Sequence, residues 1–466
     1  MRKTTILSVM AAVALVGASG SAGAQAPTKQ QPPALGTPKA FKLPPKKEIT
    51  LANGMKVTFV PFGKIPKIIV INSIRTGNID ESASETALGD VTGDLMREGT
   101  TTRTALQIAE QGAAMGGSVT VGIGEDVSQV GGTVLAENGP EMVRLVADVS
   151  RNPRFPESEL ARIIAGRVRN LSIAKSQPGS LAREKFMAAI YGDHNYGRIF
   201  PTEAQLKGYT IGQVRGFYDR NFGAARSHLY VVGVYDQGAI EKAVRASFSD
   251  WKAGYPPTSK PASPKASAMV TLLDRPNAPQ STIMMGLPVI APGNKDYTAL
   301  QVTDAILGGT FGSRITSNIR EQKGYTYSPF SSISTHPGAA VWFEQADVTT
   351  KSTGASLKEI FSEIRRLQND APPSAELEGV KNNMIGIFTL QNASRAGIAS
   401  QLINAETLGL GSDWVTGFVG RVSAVTPADV QRLAKEQINA DKLTIVVVGD
   451  RKTVEEQVAP FQKPVP

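Results

Sequence analysis

The strongest constraint on how this chain folds is an internal repeat. In Thr210–Gly233 a helix pattern leads into an apolar strand, and Thr426–Gly449 repeats that order over the same span of 23 positions. A second pair of segments, Phe155–Leu160 (FPESEL) and Pro372–Leu377 (PPSAEL), recurs at nearly the same offset, 217 residues instead of 216. Two matches at nearly one offset indicate that the chain consists of two duplicated halves.

Strand and helix patterns alternate in each half, so we expect an α+β fold. The prediction is two duplicated domains, residues 48–250 and 267–460, each an antiparallel-rich β-sheet with helices packed on one face. The segment between them, residues 251–266 (WKAGYPPTSKPASPKA), contains four prolines and is predicted to be a linker.

Local signals predict helix starts and turns. Thr210 and Thr426 each open a helix, and Ser158 and Ser374 are predicted N-caps with an acidic first turn. Paired glycines predict turns, at Gly116–Gly117, Gly131–Gly132 and Gly308–Gly309.

The N-terminus has the pattern of a secretory signal. A charged start, an apolar run and a small-residue site before Gln25 make residues 1–24 a predicted signal peptide. Residues 25–47 are rich in proline and are predicted to be an extended leader, and a hairpin is predicted from Glu48 to Pro61. We therefore expect an exported, periplasmic protein. Its zero cysteines exclude disulfides and thiol chemistry.

Composition narrows the function classes. A chain of 466 residues suggests roughly two to four domains. The net charge of +9 falls to about +7 without Arg2 and Lys3, and the charge is spread along the chain with no nucleic-acid motif. We expect no nucleic-acid partner and no membrane span in the mature chain.

The segment Ala87–Thr100 (ALGDVTGDLMREGT) carries a family resemblance. It is similar to the first active-site helix of the M16 zinc peptidases (pitrilysin or mitochondrial-processing-peptidase-like, M16B-type), which reads His-x-x-Glu-His before a Met and a closing Gly-Thr. Asp90 and Asp94 stand at the two histidine positions and Gly93 at the glutamate. The chain thus resembles an inactive member, and the resemblance implies two similar domains arranged as a clam shell, the LuxS/MPP-like metallohydrolase fold.

The remaining zinc ligand is also missing. The resemblance places a glutamate pair at about Arg169-Asn170. The three histidines, His194, His228 and His336, have no ligand spacing, so structural roles are expected for them. We expect no metal and no cofactor in this chain.

Asp90 and Asp94 leave two interpretations open. Four residues apart on one helical face, they can hold a hard cation or act as an acid–base pair. The favoured interpretation is a solvated, mildly repulsive pair.

A second family element is intact in the other half. Gly308–Ser328 resembles the C-terminal-domain motif in which an Arg and a Tyr seven residues apart face the zinc, here Arg320 and Tyr327. By resemblance, Arg320 and Tyr327 act in catalysis with a partner's zinc, and Arg320, Tyr325 and Tyr327 bind substrate. Tyr325 competes for the Tyr role and Arg314 for the Arg role.

The resemblance implies a function. It indicates the non-catalytic subunit of an exported heteromeric zinc peptidase, with zinc in a partner that carries His-x-x-Glu-His and with unfolded peptides as substrates. The main alternative is a structural or peptide-binding protein without a role in proteolysis. A third is a stand-alone hydrolase using Asp90 and Asp94.

Overall fold

The structure is a computed structural model that describes Gly36 and residues 39–462. Residues 39–462 lie in one compact unit that contains both halves of the repeat. The predicted signal peptide and most of the leader lie outside the described residues.

The first half contains one sheet and eight α-helices among its described residues. Its strands are β1 (Lys47–Thr50), β2 (Lys56–Pro61), β3 (Lys67–Ile74), β4 (Thr120–Ile123), β5 (Ser128–Leu135) and β6 (Ser227–Gly233). Its helices are α1 (Leu88–Met96), α2 (Ala105–Ala114), α3 (Gly139–Arg151), α4 (Glu157–Ser176), α5 (Pro178–Tyr191), α6 (Glu203–Gly208), α7 (Ile211–Asn221) and α8 (Gln237–Phe248).

The second half is built in the same order. Its strands are β7 (Val270–Asp274), β8 (Gln280–Val289), β9 (Phe330–His336), β10 (Ala339–Thr349) and β11 (Thr444–Gly449). Its α-helices are α9 (Tyr297–Asp304), α10 (Arg314–Thr316), α11 (Thr353–Asn369), α12 (Ser374–Asn392), α13 (Arg395–Thr407), α14 (Ser412–Thr416), α15 (Phe418–Ala424), α16 (Pro427–Gln437) and α17 (Arg451–Val458). Two π-helical segments flank α10, Ala305–Gly309 and Ser317–Gln322.

The two sheets share one topology, which confirms the predicted duplication. The first sheet has the order β1-β2-β6-β3-β5-β4 and the second the order β7-β11-β8-β10-β9. In each sheet one pairing is parallel, β2 with β6 and β7 with β11, and the next three are antiparallel. Strand β1 is an addition to the first half and forms the predicted hairpin with β2.

Helices cover both faces of the second sheet, whereas the sequence predicted helices on one face. Alternate residues of a strand point to opposite faces. On β8, Ile283 and Met285 pack into the core formed with the second half's own helices, while Met284 packs with residues of α5. A Cβ on Gly286 would lie 2.8 Å from the Phe186 ring, so α5 rests directly on this sheet.

The first sheet is likewise covered on its second face by a helix of the other half, α13. Tyr230 and Val232 of β6 pack against Ile398 and Leu402 of α13. Each half therefore covers the second face of the other half's sheet. The sequence cannot indicate this exchange, because an apolar strand face does not identify the helix that covers it.

Several local predictions were correct and others were wrong. Thr210 and Thr426 form capping boxes with Gln213 and Asp429. The serine caps were wrong: α4 and α12 start after prolines, and Ser158 and Ser374 lie inside the first turn.

Two of the glycine-pair turns were also wrong. Gly131–Gly132 lies within β5, where a Cβ on Gly131 would be 2.4 Å from the Val70 carbonyl of the adjacent strand. Gly308–Gly309 ends a π-helical segment. In both places glycine allows a close approach between neighbouring groups, which is a different use of the residue from a turn.

The end of the leader packs against the second half, and the predicted linker has no regular secondary structure. The end of the leader contacts the second half, with the Phe41 ring 5.1 Å from the Phe388 ring and Leu43 against the core. Residues 249–269 contain no helix or strand, in keeping with the predicted linker. Among the described residues, no helix has the length and apolar character needed to cross a membrane.

Candidate functional site

The first half of the site is built on α1, whose start is fixed by a buried carboxylate. Glu81 accepts hydrogen bonds from the backbone N–H of Ala87 (2.9 Å) and of Gly89 (2.8 Å). These are amide groups that a helix start leaves without partners. Ala87 itself adopts a left-handed conformation (φ 68°), which this cap holds in place. Sequence reasoning missed Glu81, because no capping motif precedes α1.

Glu81 is also linked to Asp90 on the helix. Asn78 Nδ2 donates to Glu81 Oε1 at 3.0 Å and to Asp90 Oδ2 at 2.9 Å. Burial raises the pKa of Glu81 to about 7, against the lowering effect of its hydrogen bonds. Both of its oxygens hold backbone amides, so Glu81 serves as a helix cap and has no free oxygen for acid–base chemistry.

A guanidinium lies between Asp90 and Asp94, the two acids that the resemblance aligns with the family's histidines. Arg167 of α4 donates from Nε to Asp94 Oδ2 at 2.6 Å and from Nη1 to Asp90 Oδ1 at 3.1 Å. Its Nη2 donates to the backbone carbonyl of Asp90 at 3.0 Å. Burial disfavours the charge of Arg167, but the bonds to Asp94 and Asp90 outweigh it and raise its pKa. Asp94 also pairs with Arg97.

This arrangement corrects two sequence interpretations. Asp90 and Asp94 are not a solvated repulsive pair, because Arg167 neutralises them. The basic residue at the site is Arg167, two residues before the expected Arg169-Asn170. The resemblance named Arg169-Asn170 in this helix, and only the three-dimensional structure shows that Arg167 is the residue that contacts Asp90 and Asp94.

A neighbouring strand packs against Gly93, the residue that the resemblance aligns with the family's general base. Gly93 is buried, and a Cβ there would lie 2.5 Å from Ile123 Cγ1 at the end of β4. A glutamate at this position would require Ile123 to move. The glycine is therefore part of a repacked helix–strand contact.

The first half consequently does not fit a zinc ion. Zinc in proteins takes sulfur, imidazole or carboxylate ligands, usually four with any water. Here two carboxylates are engaged by a guanidinium, whose charge repels a cation. Among the described residues, no group of three or more His, Cys, Asp or Glu side chains is placed to hold a metal.

The second half presents an arginine between two exposed aromatic rings. The Arg320 Cζ atom lies 4.3 Å from the centre of the Phe311 ring and 5.0 Å from that of Tyr327. The Phe311 and Tyr327 rings are 74% and 80% exposed, whereas Arg320 retains 20% exposure of its side chain. Such cation–π contacts restrain a guanidinium without occupying its N–H donors. Sequence reasoning included Arg320 and Tyr327 but missed Phe311.

One Arg320 donor is free of hydrogen bonds. Its Nη1 is buried, donates no hydrogen bond within the described structure, and lies 3.4 Å from Glu321 Oε1 as an ion pair. Arg320 lies in the π-helical segment Ser317–Gln322, an irregularity that often accompanies functional positions.

The competing residues point elsewhere. Tyr325 packs partly into the core of the second half, so its ring is less available than that of Tyr327. Arg314 is mostly buried and forms two 2.8 Å hydrogen bonds to the Glu376 carboxylate. The geometry therefore favours Arg320 and Tyr327 as the residues able to reach a ligand.

The histidines have structural contacts. His194 caps the turn after α5, and His336 is buried against the Tyr196 ring with Nδ1 3.1 Å from Asp126 Oδ2. His228 Nδ1 lies 2.5 Å from Glu406 of α13, which joins the two halves.

Two family models match the chain. The model described as "Insulinase (Peptidase family M16)" matches residues 72–201, and the model described as "Peptidase M16 inactive domain" matches residues 209–384. A protein of Rickettsia felis described as an uncharacterized zinc protease is 26% identical over 319 residues, which are 68% of this chain and 77% of that protein.

Solved structures share the fold. The chain is similar to the peptidase M16 inactive domain from Pseudomonas fluorescens (TM-score 0.79, 23% identity, 87% of this chain and 98% of that one). It is also similar to a protease from Helicobacter pylori (TM-score 0.81, 18% identity, 88% of this chain and 100% of that one).

The duplicated sheets and the α1 helix define an α+β protein with the architecture of the zinc peptidases and with an arginine among its former ligand positions. The chain belongs to the M16 peptidase family.

Proposed function

We propose that this chain is the non-catalytic subunit of an exported, heteromeric M16 zinc peptidase. The observation that carries the proposal is the Arg167 guanidinium between Asp90 and Asp94. A chain that has replaced its metal ligands with an ion-pair network has no hydrolytic centre of its own. Its Arg320 and its exposed Tyr327 gain a catalytic use only beside zinc held by another chain.

Arg320 and Tyr327 have chemistry suited to that role. A tyrosine hydroxyl can donate a hydrogen bond to the oxyanion of a tetrahedral intermediate. The planar fork of an arginine can hold a peptide carbonyl or a carboxylate. Tyr327 is exposed, and the rings hold the Arg320 guanidinium by its faces, so its N–H groups other than those of the buried Nη1 are left for such contacts.

The sheet edges offer places for an extended peptide. β4 and β9 are the outer strands of their sheets, and β4 ends beside α1. An unfolded peptide can pair with such an edge through its backbone, with alternate side chains entering pockets. Substrates are accordingly proposed to be unfolded peptides, and the compartment the periplasm.

Co-purification with a partner is the direct test. The tagged mature chain, expressed in its native host, should capture an M16 protein that carries His-x-x-Glu-His. Alone it should cleave no peptide, and the pair should cleave unfolded peptides faster than the partner alone. Chelator-sensitive cleavage by this chain alone would overturn the proposal.

The scaffold alternative predicts a different result. If the pair forms but both Arg320→Ala and Tyr327→Phe leave its activity unchanged, the chain has a structural role and the catalytic contribution is wrong.

A further inference from the structure

A cavity of about 390 Å³ lies in the second half beside the loop that carries Phe311. Its walls combine apolar side chains with amide groups, and Asp304 lies in its wall; the lining includes Gln301, Asp304, Gly309, Met384, Ile387 and Phe418. This volume is within the range of ligand pockets, and the walls are about as polar as they are apolar.

Of the two carboxylate oxygens of Asp304, one accepts hydrogen bonds from the protein and the other does not. Its Oδ1 accepts hydrogen bonds from Ser331 Oγ (2.5 Å) and Trp342 Nε1 (2.8 Å). Its Oδ2 accepts no hydrogen bond from a described residue and lies beside Gly309, where a Cβ would be 2.7 Å away. Two neutral donors thus fix the carboxylate, and the absence of a side chain at 309 keeps Oδ2 accessible.

This carboxylate has no cation partner among residues 39–462. Burial raises the pKa of Asp304 to about 6, against the lowering effect of its hydrogen bonds from Ser331 and Trp342. Glu344 is fully buried nearby with neither oxygen hydrogen-bonded, and burial together with the charge of Asp304 raises its pKa well above the usual range. Partly desolvated carboxylates are normally paired with a positive group.

In the first half, the corresponding helices hold a positive group, the Arg167 guanidinium, against the acids of α1. α9 with its π-helical extension follows β8 as α1 follows β3, and α12 repeats α4 at an offset of 217. That offset places Met384 at the position of Arg167. Where the first half supplies its own guanidinium to the acids of α1, the second half has a neutral Met384 and an open cavity.

We propose that this cavity binds the basic side chain, Arg or Lys, of a peptide ligand, with Asp304 Oδ2 as its counter-charge. The aliphatic stem would lie against the apolar walls and the head group would reach Asp304. The cavity is lined by Gly309 and Thr310, which directly precede Phe311 in the ring pair around Arg320. The inference deepens the proposed function, on which it rests, by assigning a side-chain preference to the peptide.

The test compares peptides that differ in one head group. Fluorescein-labelled, otherwise neutral decapeptides with a central Arg, Lys, citrulline or norleucine would be titrated with the purified mature chain and followed by anisotropy. We expect the Arg and Lys peptides to bind at least about 10-fold tighter than the citrulline and norleucine peptides, the scale of one charge-assisted hydrogen bond. The chain's net positive charge opposes such a preference, so bulk attraction cannot produce it.

Two variants test whether Asp304 and this cavity cause the preference for basic peptides. Asp304→Asn removes the charge at nearly constant shape, and Met384→Arg places the chain's own guanidinium where Arg167 lies in the first half. Both should abolish the preference for basic peptides. Glu456→Gln, which removes an exposed carboxylate of α17 that does not line the cavity, should retain it.

These binding measurements test the inference on the purified chain alone and do not require the partner subunit. Equal binding of the four peptides by the unaltered chain overturns the inference, and so does a preference that persists in a folded Asp304→Asn protein. If Asp304→Asn does not fold, Met384→Arg decides in the same way. Failure here leaves complex formation and its activity untouched, so it is distinguishable from failure of the proposed function.

Discussion

Arg167 Nε lies 2.6 Å from Asp94 Oδ2, although 73 residues separate the two along the chain. This contact joins α4 to α1 and puts a positive charge among the positions that hold metal ligands in the family's active-site motif. The network replaces a coordination bond with charge-assisted hydrogen bonds, and the predictions below follow from it and from the geometry of the second half.

Removal of Arg167 should destabilise the fold. Arg167→Ala leaves the Asp90 and Asp94 carboxylates facing each other without their shared donor. Because these side chains remain partly exposed, at 28% and 16%, we expect a loss of about 1–3 kcal/mol in the free energy of unfolding, measured by urea denaturation.

Arg162→Ala is the matched control on the same helix. Arg162 pairs with Glu98 and Glu159, but its side chain is 61% exposed and solvent screens these pairs, so its removal should cost clearly less than the removal of Arg167. Equal losses for the two variants would contradict the structural role assigned to Arg167.

Histidines alone should not restore a metal site. In Asp90→His/Asp94→His the Arg167 guanidinium still lies between the new ligands and opposes a cation, so we expect no stoichiometric zinc after dialysis. Adding Arg167→Glu removes that charge and supplies a third ligand, and zinc affinity measured by calorimetry should rise by roughly 100-fold or more. Stoichiometric zinc in the double variant would show that Arg167 does not block the site.

Gly93 should not tolerate a methyl group. Gly93→Ala gains helix propensity, but its Cβ would approach Ile123 Cγ1 to 2.5 Å, so we expect a net loss of about 1–3 kcal/mol in thermal or urea unfolding. Adding Ile123→Ala should reduce that penalty, and a double-mutant cycle measures the coupling.

Gly166→Ala in α4 is the control for propensity. A Cβ there meets only the Arg169 side chain, at 3.9 Å, so this variant should gain about 0.5–1 kcal/mol. Stabilisation by both alanines would show that Ile123 does not restrict position 93.

The Glu81 cap should make stability depend on pH. Its pKa is raised from 4.5 to about 7, so the native state binds this proton more tightly than the unfolded chain. The resulting stabilisation is complete below pH 4.5 and is lost as pH rises through 7. Relative to Glu81→Gln, which does not titrate, the unaltered protein should lose on the order of 2–3 kcal/mol between pH 4.5 and 7.5.

Exposed Glu110 of α2 provides the comparison for that titration. Glu110→Gln should leave the pH dependence of the unfolding free energy unchanged. If Glu81→Gln also leaves it unchanged, Glu81 is not buried as the structure has it.

The ring pair around Arg320 should matter for turnover and little for folding. In the complex with a catalytic partner, we expect Arg320→Ala and Tyr327→Phe each to lower kcat by roughly 10²–10³-fold, the scale of one oxyanion donor. Phe311→Ala should lower kcat less, because it removes only the restraint on the guanidinium. Tyr325→Phe is the control, since that ring lies partly in the core, and a larger effect there would reverse the assignment of the two tyrosines.

Much of the fold could be read from the sequence because its signals are local or periodic. The 216–217-residue offset predicted two copies, and the structure has the same strand order twice. Thr210 and Thr426 predicted their helix starts, since a capping box involves only residues three positions apart. The serine caps failed because α4 and α12 begin directly after Pro156 and Pro373, which is two residues and one residue earlier than serine caps at Ser158 and Ser374 would allow.

By itself, the sequence determined that the chain is a duplicated α+β protein, and its resemblance to the family predicted that Asp90, Gly93 and Asp94 stand at the His-x-x-Glu-His positions and that Arg320 and Tyr327 are retained. Only the tertiary structure decided that Arg167 joins the two acids, that Ile123 fills the space beside Gly93, and that Asp304 faces a cavity without a cation. The physical reason is distance along the chain: these groups interact through directional contacts between elements tens of residues apart, and local propensity carries no information about which side chains meet there.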